Sequence, residues 1–347
     1  MSAGLHARLR QQRRRRLALC GGAVGLLALL VVVSLSLGVR DFGPLQMLQL
    51  LTSPASDPGA GAVLFALRLP RAAMAVVAGA GLALSGAAMQ GVTRNVLVSP
   101  YTMGISPAAA FGASLAILAG ANLGASGAWF IIAAAFASAV LCAVLVLGLA
   151  AMRGVTATML VLGGIGLTHL FAALTASVQF IASEQQLSAI VQWTFGSLNG
   201  ITWHEAGIAA VVLVVCAPAL LAHAWALNAF AAGGDEVAAS LGFAVRRVRA
   251  VVTVAAVMIT AAIVSFTGVI GFVGLVAPHI ARLLVGGDHR WLLPLSAACG
   301  AILVLAADTA GRLLLAPVIV PVGIVVAYIG VPLFLHLLLG SRQRGDL

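Results

Sequence analysis

The stretch Gly233–Arg249, GGDEVAASLGFAVRRVR, brings two acidic residues and three arginines together in a chain of which only 8% is charged. Two glycines interrupt the apolar run before it, and Asp235 and Glu236 follow where a helix N-terminus favours negative charge. Gly242 is a natural helix end, and long apolar runs lie on both sides. The pattern predicts a short polar helix held between membrane spans, where another protein can act. An ordinary solvated loop is the alternative.

The composition indicates a polytopic membrane protein. With 62% hydrophobic residues and a mean hydropathy of +1.13, the chain has too little polar surface to cover a soluble core. A net charge of +10 would suggest nucleic acid in a soluble protein, but here the placement of charge decides, and we expect no nucleic-acid partner. All nineteen basic residues are arginine, so the chain lacks the lysine of a Walker A loop. If ATP drives this protein, the ATP is bound by a partner protein.

No pattern in the sequence supports catalysis by this chain. It contains neither HExxH nor G-x-S-x-G, and its few carboxylates are scattered without a pair at catalytic spacing. The four cysteines stand far apart with no CxxC spacing, which indicates small buried hydrophobes. We therefore expect no enzyme activity, no metal site and no permanently bound cofactor.

The apolar runs predict an all-α protein with ten transmembrane helices, since a span needs about 20 apolar residues. The segment 250–285 is too long for one crossing and short for two, but Gly268 and Gly271 offer a break and Pro278 indicates an irregular second helix. With two crossings there, fifteen arginines lie on the cytoplasmic side, with both termini, and four lie on the other side. With one crossing, only twelve arginines lie on the cytoplasmic side. The positive-inside rule thus favours ten spans with both termini cytoplasmic.

The predicted layout has three parts: a cytoplasmic arginine-rich tail at 1–16, a ten-helix transmembrane domain at 17–340 and a cytoplasmic tail at 341–347. The predicted spans are 17–38, 69–92, 101–121, 126–150, 157–181, 206–226, 250–269, 271–285, 292–313 and 319–339.

Two further groups of residues are candidates for function. His169 is the one ionisable group near the middle of a predicted span, where such residues often face a pathway; a neutral histidine bonded to a neighbouring helix is the preferred alternative. Arg68, Arg71 and Arg312 lie at the outer ends of spans, where arginine is disfavoured. They predict a basic outer rim for acidic side chains of a partner, with snorkelling to lipid phosphate as an equal alternative.

Four long motifs resemble one known family. They are RLPRAAMAVVAGAGLALSGAAMQGVTRNVLVSP at 68–100, GDEVAASLG at 234–242, GFVGLVAPHIARLLVGGDHRWLLP at 271–294 and ADTAGR at 307–312. With the ten-span layout, they make the chain, from about residue 60 to 340, similar to the permease subunits of type II ABC importers, which carry iron-siderophores, haem and cobalamin.

The resemblance implies roles for residues already singled out. The coupling helix that docks on the ATPase subunit would comprise Gly234, Asp235, Glu236, Val237, Ala238, Leu241 and Gly242. Arg68, Arg71 and Arg312 would meet acidic residues of a periplasmic binding protein, Thr156 and Thr158 would lie at the cytoplasmic gate, and span five with His169 would line the pathway. The arginine-rich tail lies outside the family core, and we assign it to inner-leaflet lipid.

The resemblance also implies an assembly and a location. We expect a homodimer with two ATP-binding cassette subunits in the bacterial inner membrane, where ATP hydrolysis is by the partner. The cargo is expected to be haem, because the sequence looks most like bacterial haem permeases, with ferric siderophore close behind and cobalamin open. The rival classes are an ion-coupled secondary transporter, which would need intramembrane carboxylates, and a membrane scaffold.

Overall fold

The computed structural model describes residues 2–38, 41–53, 57–120, 126–153 and 156–341, and all its regular elements are helices. Of the predicted C-terminal tail 341–347, residues 342–347 lie outside the described residues, and so do the loop residues 154–155 before the expected gate. The helices are α1 Ser2–Ser36, α2 Pro44–Thr52, α3 Pro58–Ala62, α4 Leu69–Thr93, α5 Ile105–Ala119, α6 Ser126–Arg153, α7 Ala157–Ile181, α8 Glu184–Thr194, α9 Trp203–Ala222, α10 Ala224–Ser240, α11 Val245–Thr267, α12 Val273–Val285, α13 His289–Leu313 and α14 Val322–Ser341. A π-helical turn, Val63–Arg68, joins α3 to α4.

Seven helices in the described part of the chain are long and apolar enough to cross a membrane, and three shorter apolar helices accompany them. The seven belong to α1, α3–α4, α6, α7, α9, α11 and α13, and the shorter ones are α5, α12 and the described part of α14. Each of the ten predicted spans coincides with one of these helices. The number that cross the bilayer, and the side on which the termini lie, stay predictions.

Helix boundaries differ from the predicted spans at several points. The arginine-rich tail and the first span form the single helix α1, because nothing between Ser2 and Ser36 breaks it. The predicted span 206–226 ends earlier, at Ala222, and a separate helix, α10, begins at Ala224. The break predicted between Gly268 and Gly271 is present, since α11 ends at Thr267 and α12 starts at Val273.

Helix α4 occupies the centre of the bundle. Every residue from 81 to 93 is buried, and α4 packs against α9, α11, α12 and α13. Glycines allow the backbones to touch: a Cβ atom on Gly79 would overlap the carbonyl of Gly300 in α13, and one on Gly86 would overlap that of Gly274 in α12. Small residues are the usual means of close helix packing in lipid.

The non-helical backbone between α11 and α12 is tied to two other loops. The amide of Ser197 donates to the carbonyl of Thr267 at 2.7 Å, and the amide of Gly323 donates to the carbonyl of Gly196 at 3.2 Å. Gly268, with φ +68°, packs against the Trp193 carbonyl. Irregular backbone within a membrane needs such protein partners, because lipid offers none. We refer to these contacts as the loop tie.

The bundle has two ends, which we name by a carboxylate at each. The Asp235 end carries α10, the start of α1 and the start of α13. The Asp308 end carries α2, α3, the start of α4 and the last turn of α13.

Candidate functional site

Helix α10 contains the kink that the two glycines predict. Gly233 and Gly234 have non-helical backbone angles, which divide α10 into 224–232 and 235–240. Gly234 has φ +77°, and a Cβ atom there would lie 2.5 Å from a guanidinium nitrogen of Arg94. The positive φ favours glycine at this position, whereas the Arg94 side chain is flexible and could move aside. The short helix 235–240 is therefore a separate element, as the sequence indicates.

The short helix presents one face outward. Glu236, Val237, Leu241 and Gly242 are exposed, whereas Gly234 and Ala238 are buried against the bundle. Leu241 is 63% exposed and Val237 is 37% exposed, so this face carries two apolar side chains beside the carboxylate of Glu236.

Asp235 has a different environment from its neighbours. Its carboxylate accepts hydrogen bonds from both terminal nitrogens of Arg249, one of them at 2.7 Å. Arg249 is only 1% exposed and lies over the Phe230 ring, 5.4 Å from its centroid. Asp235 thus fastens the short helix to the first turn of α11. Its side chain is also 41% exposed, so the docking role expected of Asp235 stays a prediction.

The first half of α10 is fastened to α13. The Asn228 amide nitrogen donates to Asp288 at 2.8 Å, and its oxygen accepts from the backbone amide of His289 at 2.8 Å. Asp288 also pairs with Arg290 at 2.7 Å and with Arg16 of α1 at 3.3 Å. Hydrogen bonds from Arg290, then from Asn228, hold the pKa of Asp288 well below its ordinary value. Three elements therefore meet at one ionised carboxylate.

At the other end, Asp308 is a buried carboxylate between two arginines. Arg71 of α4 donates to it through Nε at 3.0 Å and through a terminal nitrogen at 2.9 Å. Arg312, one turn further along α13, approaches it at 3.4 Å and donates to Ser34 of α1 at 2.8 Å. Asp308 and Arg312 are four residues apart in one helix, whereas Arg71 and Asp308 are 237 positions apart in the chain, and no sequence pattern indicated that these two pair.

Arg68 completes this cluster from the opposite wall. Its guanidinium donates to the carbonyl of Ser36 at 3.1 Å and lies 4.5 Å from the Phe42 ring centroid. The side chains of Arg71 and Arg312 are only 11% and 12% exposed, and Arg68 is buried. All three line a pocket of about 470 Å3, together with Asn199 and Thr202. The structure brings the three arginines together in the wall of one pocket, and their role in docking a binding protein stays a prediction.

The long helix α7 has one buried and one exposed stripe. Leu160, Gly164, Leu167, Phe171 and Val178 face the bundle. His169 lies on the opposite stripe and is exposed, and within the described residues it has no hydrogen-bond partner. The preferred alternative, a histidine bonded to a neighbouring helix, is therefore not what this protomer contains.

Thr156 and Thr158 stand at the start of α7 and are both exposed. Thr156 caps the helix, because its hydroxyl accepts from the amide of Met159 at 3.2 Å. This N-cap role accounts for a threonine at 156 whether or not the loop before it acts as a gate.

Among the described residues, no group of three His, Cys, Asp or Glu side chains is arranged to hold a metal ion. The charged clusters instead consist of arginine with aspartate, an arrangement that fixes helices and attracts anions.

Residues 26–340 match the model of the FecCD transport family. The chain is 38% identical over 331 residues to the Fe(3+)-citrate import system permease protein YfmE of Bacillus subtilis (strain 168), covering 95% of this chain and 96% of that one. It is 36% identical over 324 residues to the hemin transport system permease protein HmuU of Yersinia pestis, covering 92% and 96%. A solved structure assigned as a metal-chelate type ABC transporter in an inward-facing conformation superposes with a TM-score of 0.82 at 33% identity, covering 92% of this chain and 98% of that one.

Proposed function

The chain belongs to the FecCD transport family, the permeases of type II ABC importers, and from this premise we propose that it moves a bulky metal chelate inward across a bacterial inner membrane. Permeases of this family are multi-pass membrane proteins that act as dimers, with separate ATPase subunits and a binding protein. The proposal goes further on the topology, on the role of each end and on the cargo.

We propose ten spans with both termini in the cytoplasm, and hence the Asp235 end inside. Arg13, Arg16, Arg246, Arg247 and Arg290 all lie at that end, which supports the orientation by the positive-inside rule. The Asp308 end then faces outward, although three arginines line its pocket.

The observation that carries the proposal is the anchored short helix at 235–240. Its base is fastened through Asp235 to Arg249, while Glu236, Val237 and Leu241 point outward. A rigid base with an unpartnered apolar and acidic face suits an element that a second protein pushes. We therefore propose that this face docks on the ATPase subunit, with Leu241 as its apolar contact.

At the outer end, the arginine pocket supports docking of a binding protein. Arg71 and Arg312 together exceed the charge of Asp308. Arg71 uses Nε and one N–H of each terminal nitrogen for Asp308 and Asn199, so its two remaining N–H groups can receive a carboxylate from a partner. Asp308 also bears on the rival class, an ion-coupled transporter. Its carboxylate is already paired with Arg71 and Arg312, so a coupling ion would have to displace both arginines to bind there.

Replacement of Arg71 by Gln is expected to weaken the binding protein's affinity about tenfold, or about 1.4 kcal/mol, because one charged donor leaves the pocket. Glutamine is preferred to glutamate, since a carboxylate at 71 would face the buried Asp308. Affinity is measured by surface plasmon resonance on the reconstituted permease. Arg246→Gln makes the same charge change at the Asp235 end and serves as the control. Unchanged affinity in both Arg71→Gln and Arg312→Gln would remove the docking assignment.

For the pathway, we propose the exposed stripe of α7 around His169. Leu162, Ile165 and Phe180 share this stripe, so one ionisable group sits in an apolar wall. Such a wall lets a bulky cargo pass without holding it. Haem is our first candidate, because an imidazole can contact its iron, and ferric siderophore is the second. The relatives do not favour one cargo, since the citrate and hemin permeases are similar at nearly equal identity.

The test is uptake by the purified permease and its ATPase subunit in liposomes. The binding protein is supplied empty, haem-loaded or ferric-siderophore-loaded, and both ATP hydrolysis and accumulated cargo are measured. An ATPase variant lacking its phosphate-loop lysine is the control. We expect accumulation only with the active ATPase. Siderophore uptake without haem uptake would replace the cargo, whereas accumulation that persists without ATP hydrolysis would refute the importer.

A further inference from the structure

A second basic pocket lies at the Asp235 end, between the start of α1 and the start of α13. It has a volume of about 400 Å3 and is lined by Gln12, Arg13, Arg16, Arg290 and Trp291. That volume is within the range of small-molecule sites, about 300–1,000 Å3. Neither the coupling surface nor the arginine pocket at the other end includes any of these residues.

The charge of the pocket favours an anion. Three arginines line the pocket, and two of them, Arg16 and Arg290, share the carboxylate of Asp288, which also accepts from Asn228. A guanidinium has five N–H donors, so the contacts with Asp288 leave donors of Arg16 and Arg290 unused. Arg13 is exposed and adds a full positive charge. A tetrahedral oxyanion such as a phosphate can accept from all three.

The position of the pocket along the helices coincides with a membrane surface. From Arg16 to the helix end at Ser36, a rise of 1.5 Å per residue gives about 30 Å, the thickness of the hydrocarbon core. In α13, the distance from Arg290 to Arg312 is about 33 Å by the same rise. Arg312 bonds to Ser34, so the far ends of both helices are level, and their near ends are level also.

Aromatic residues mark the same level. Trp291 lines the pocket, and Arg290 lies over the ring of Trp225, 4.1 Å from its centroid. Tryptophan is enriched where the headgroups of lipids begin. Helix α1 is also peripheral, with exposed side chains such as Val24, Leu29 and Val32 along its length. A lipid can therefore reach the pocket sideways from the bilayer.

We propose that this pocket is a binding site for the phosphate of an anionic phospholipid, which links α1 to α13. The acyl chains lie along the apolar surface of α1, while the phosphate accepts from Arg13, Arg16 and Arg290. The position at the membrane surface selects a lipid over a free phosphate as the source. The site does not depend on the cargo or on the direction of transport.

The test is native mass spectrometry of the full-length chain in detergent. Phosphatidylglycerol is titrated beside phosphatidylcholine with the same acyl chains, and inorganic phosphate is added in a separate arm. We expect a saturable first phosphatidylglycerol adduct, which the double variant Arg13→Gln, Arg290→Gln weakens at least tenfold. The matched control is Arg10→Gln, Arg14→Gln, which removes two exposed arginines of the same helix outside the pocket and is expected to weaken that adduct less than twofold.

Each other outcome overturns the proposal in a distinct way. If both double variants lost the same affinity for phosphatidylglycerol, the lipid would be attracted to a basic helix in general and not bound in this pocket. Equal binding of the two lipids would exclude recognition of an anionic headgroup, and displacement of the lipid by millimolar phosphate would make this a soluble-anion site. Because Arg290 also holds Asp288, Arg13→Gln alone is tested in parallel. It leaves Asp288 untouched and is expected to weaken the adduct at least threefold with an unchanged unfolding temperature.

Discussion

Replacement of Asp235 by Asn is expected to destabilise the folded protein by about 3 kcal/mol, the lower end of the cost of breaking a buried ion pair. The substitution keeps the shape of the side chain but removes the carboxylate charge that pairs with the buried guanidinium of Arg249. The lower end applies because Asp235 itself is 41% exposed. The effect is measured as a fall in unfolding temperature in detergent, together with the yield of monodisperse protein.

The neighbouring acid supplies the control. Glu236 is exposed, so Glu236→Gln is expected to change the free energy of unfolding by less than about 0.5 kcal/mol while lowering ATPase-coupled uptake. The double variant Asp235→Asn, Arg249→Met removes the buried charge and is expected to recover most of the lost stability. Equal unfolding temperatures for Asp235→Asn and Glu236→Gln would show that Asp235 is not an anchor.

Replacement of Gly79 by Ala is expected to be as damaging, at about 3 kcal/mol, the upper end of the usual cost of overpacking. The added methyl group would overlap the backbone of Gly300, and a backbone cannot move aside as a flexible side chain can. Helices α4 and α13 must separate at the centre of the bundle. The readouts are the unfolding temperature and the fraction of the expressed protein that remains soluble in mild detergent.

Gly207→Ala is the matched control, because a Cβ atom on this helical glycine of α9 meets nothing within 4 Å. Alanine is the better helix former by about 1 kcal/mol, so this variant is expected to be neutral or slightly more stable. If Gly79→Ala were tolerated as well as Gly207→Ala, the close approach of α4 and α13 would not be a determinant of stability.

Much of the fold could be predicted from the sequence, since apolar length and helix-breaking residues leave direct marks. The short helix after Gly233 and Gly234 was visible because a left-handed glycine and an acidic first turn act locally. The break after Thr267 was visible for the same reason. The separate helix at 224–232 was missed, because its residues Ala224 to Ala232 are nearly as apolar as the span before them and no breaker marks the junction.

The sites were predictable only in part, because side-chain partners are a property of the packed bundle. Arg71 was noted as part of the outer rim, yet its pairing with Asp308 joins α4 to α13 across most of the chain. Asp235 was identified as a docking residue from its place in a charged segment, but its contact with Arg249 depends on how α10 folds back on α11. Asn228 carried no sequence signal at all.

The loop tie has a consequence for how freely the side chains at the Asp308 end can change. Its hydrogen bonds join main-chain groups of Ser197, Thr267, Gly196 and Gly323, and main-chain groups are the same in nearly every residue. Only the glycines are constrained, Gly196 by its φ of +67°. The adjoining residues Leu198 to Thr202 line the arginine pocket. Their backbone is therefore held in place by bonds that do not depend on which side chains they carry. We expect the Asp308 end to be readily evolvable: new partner preferences can arise there by substitution of side chains while the backbone beneath them stays intact.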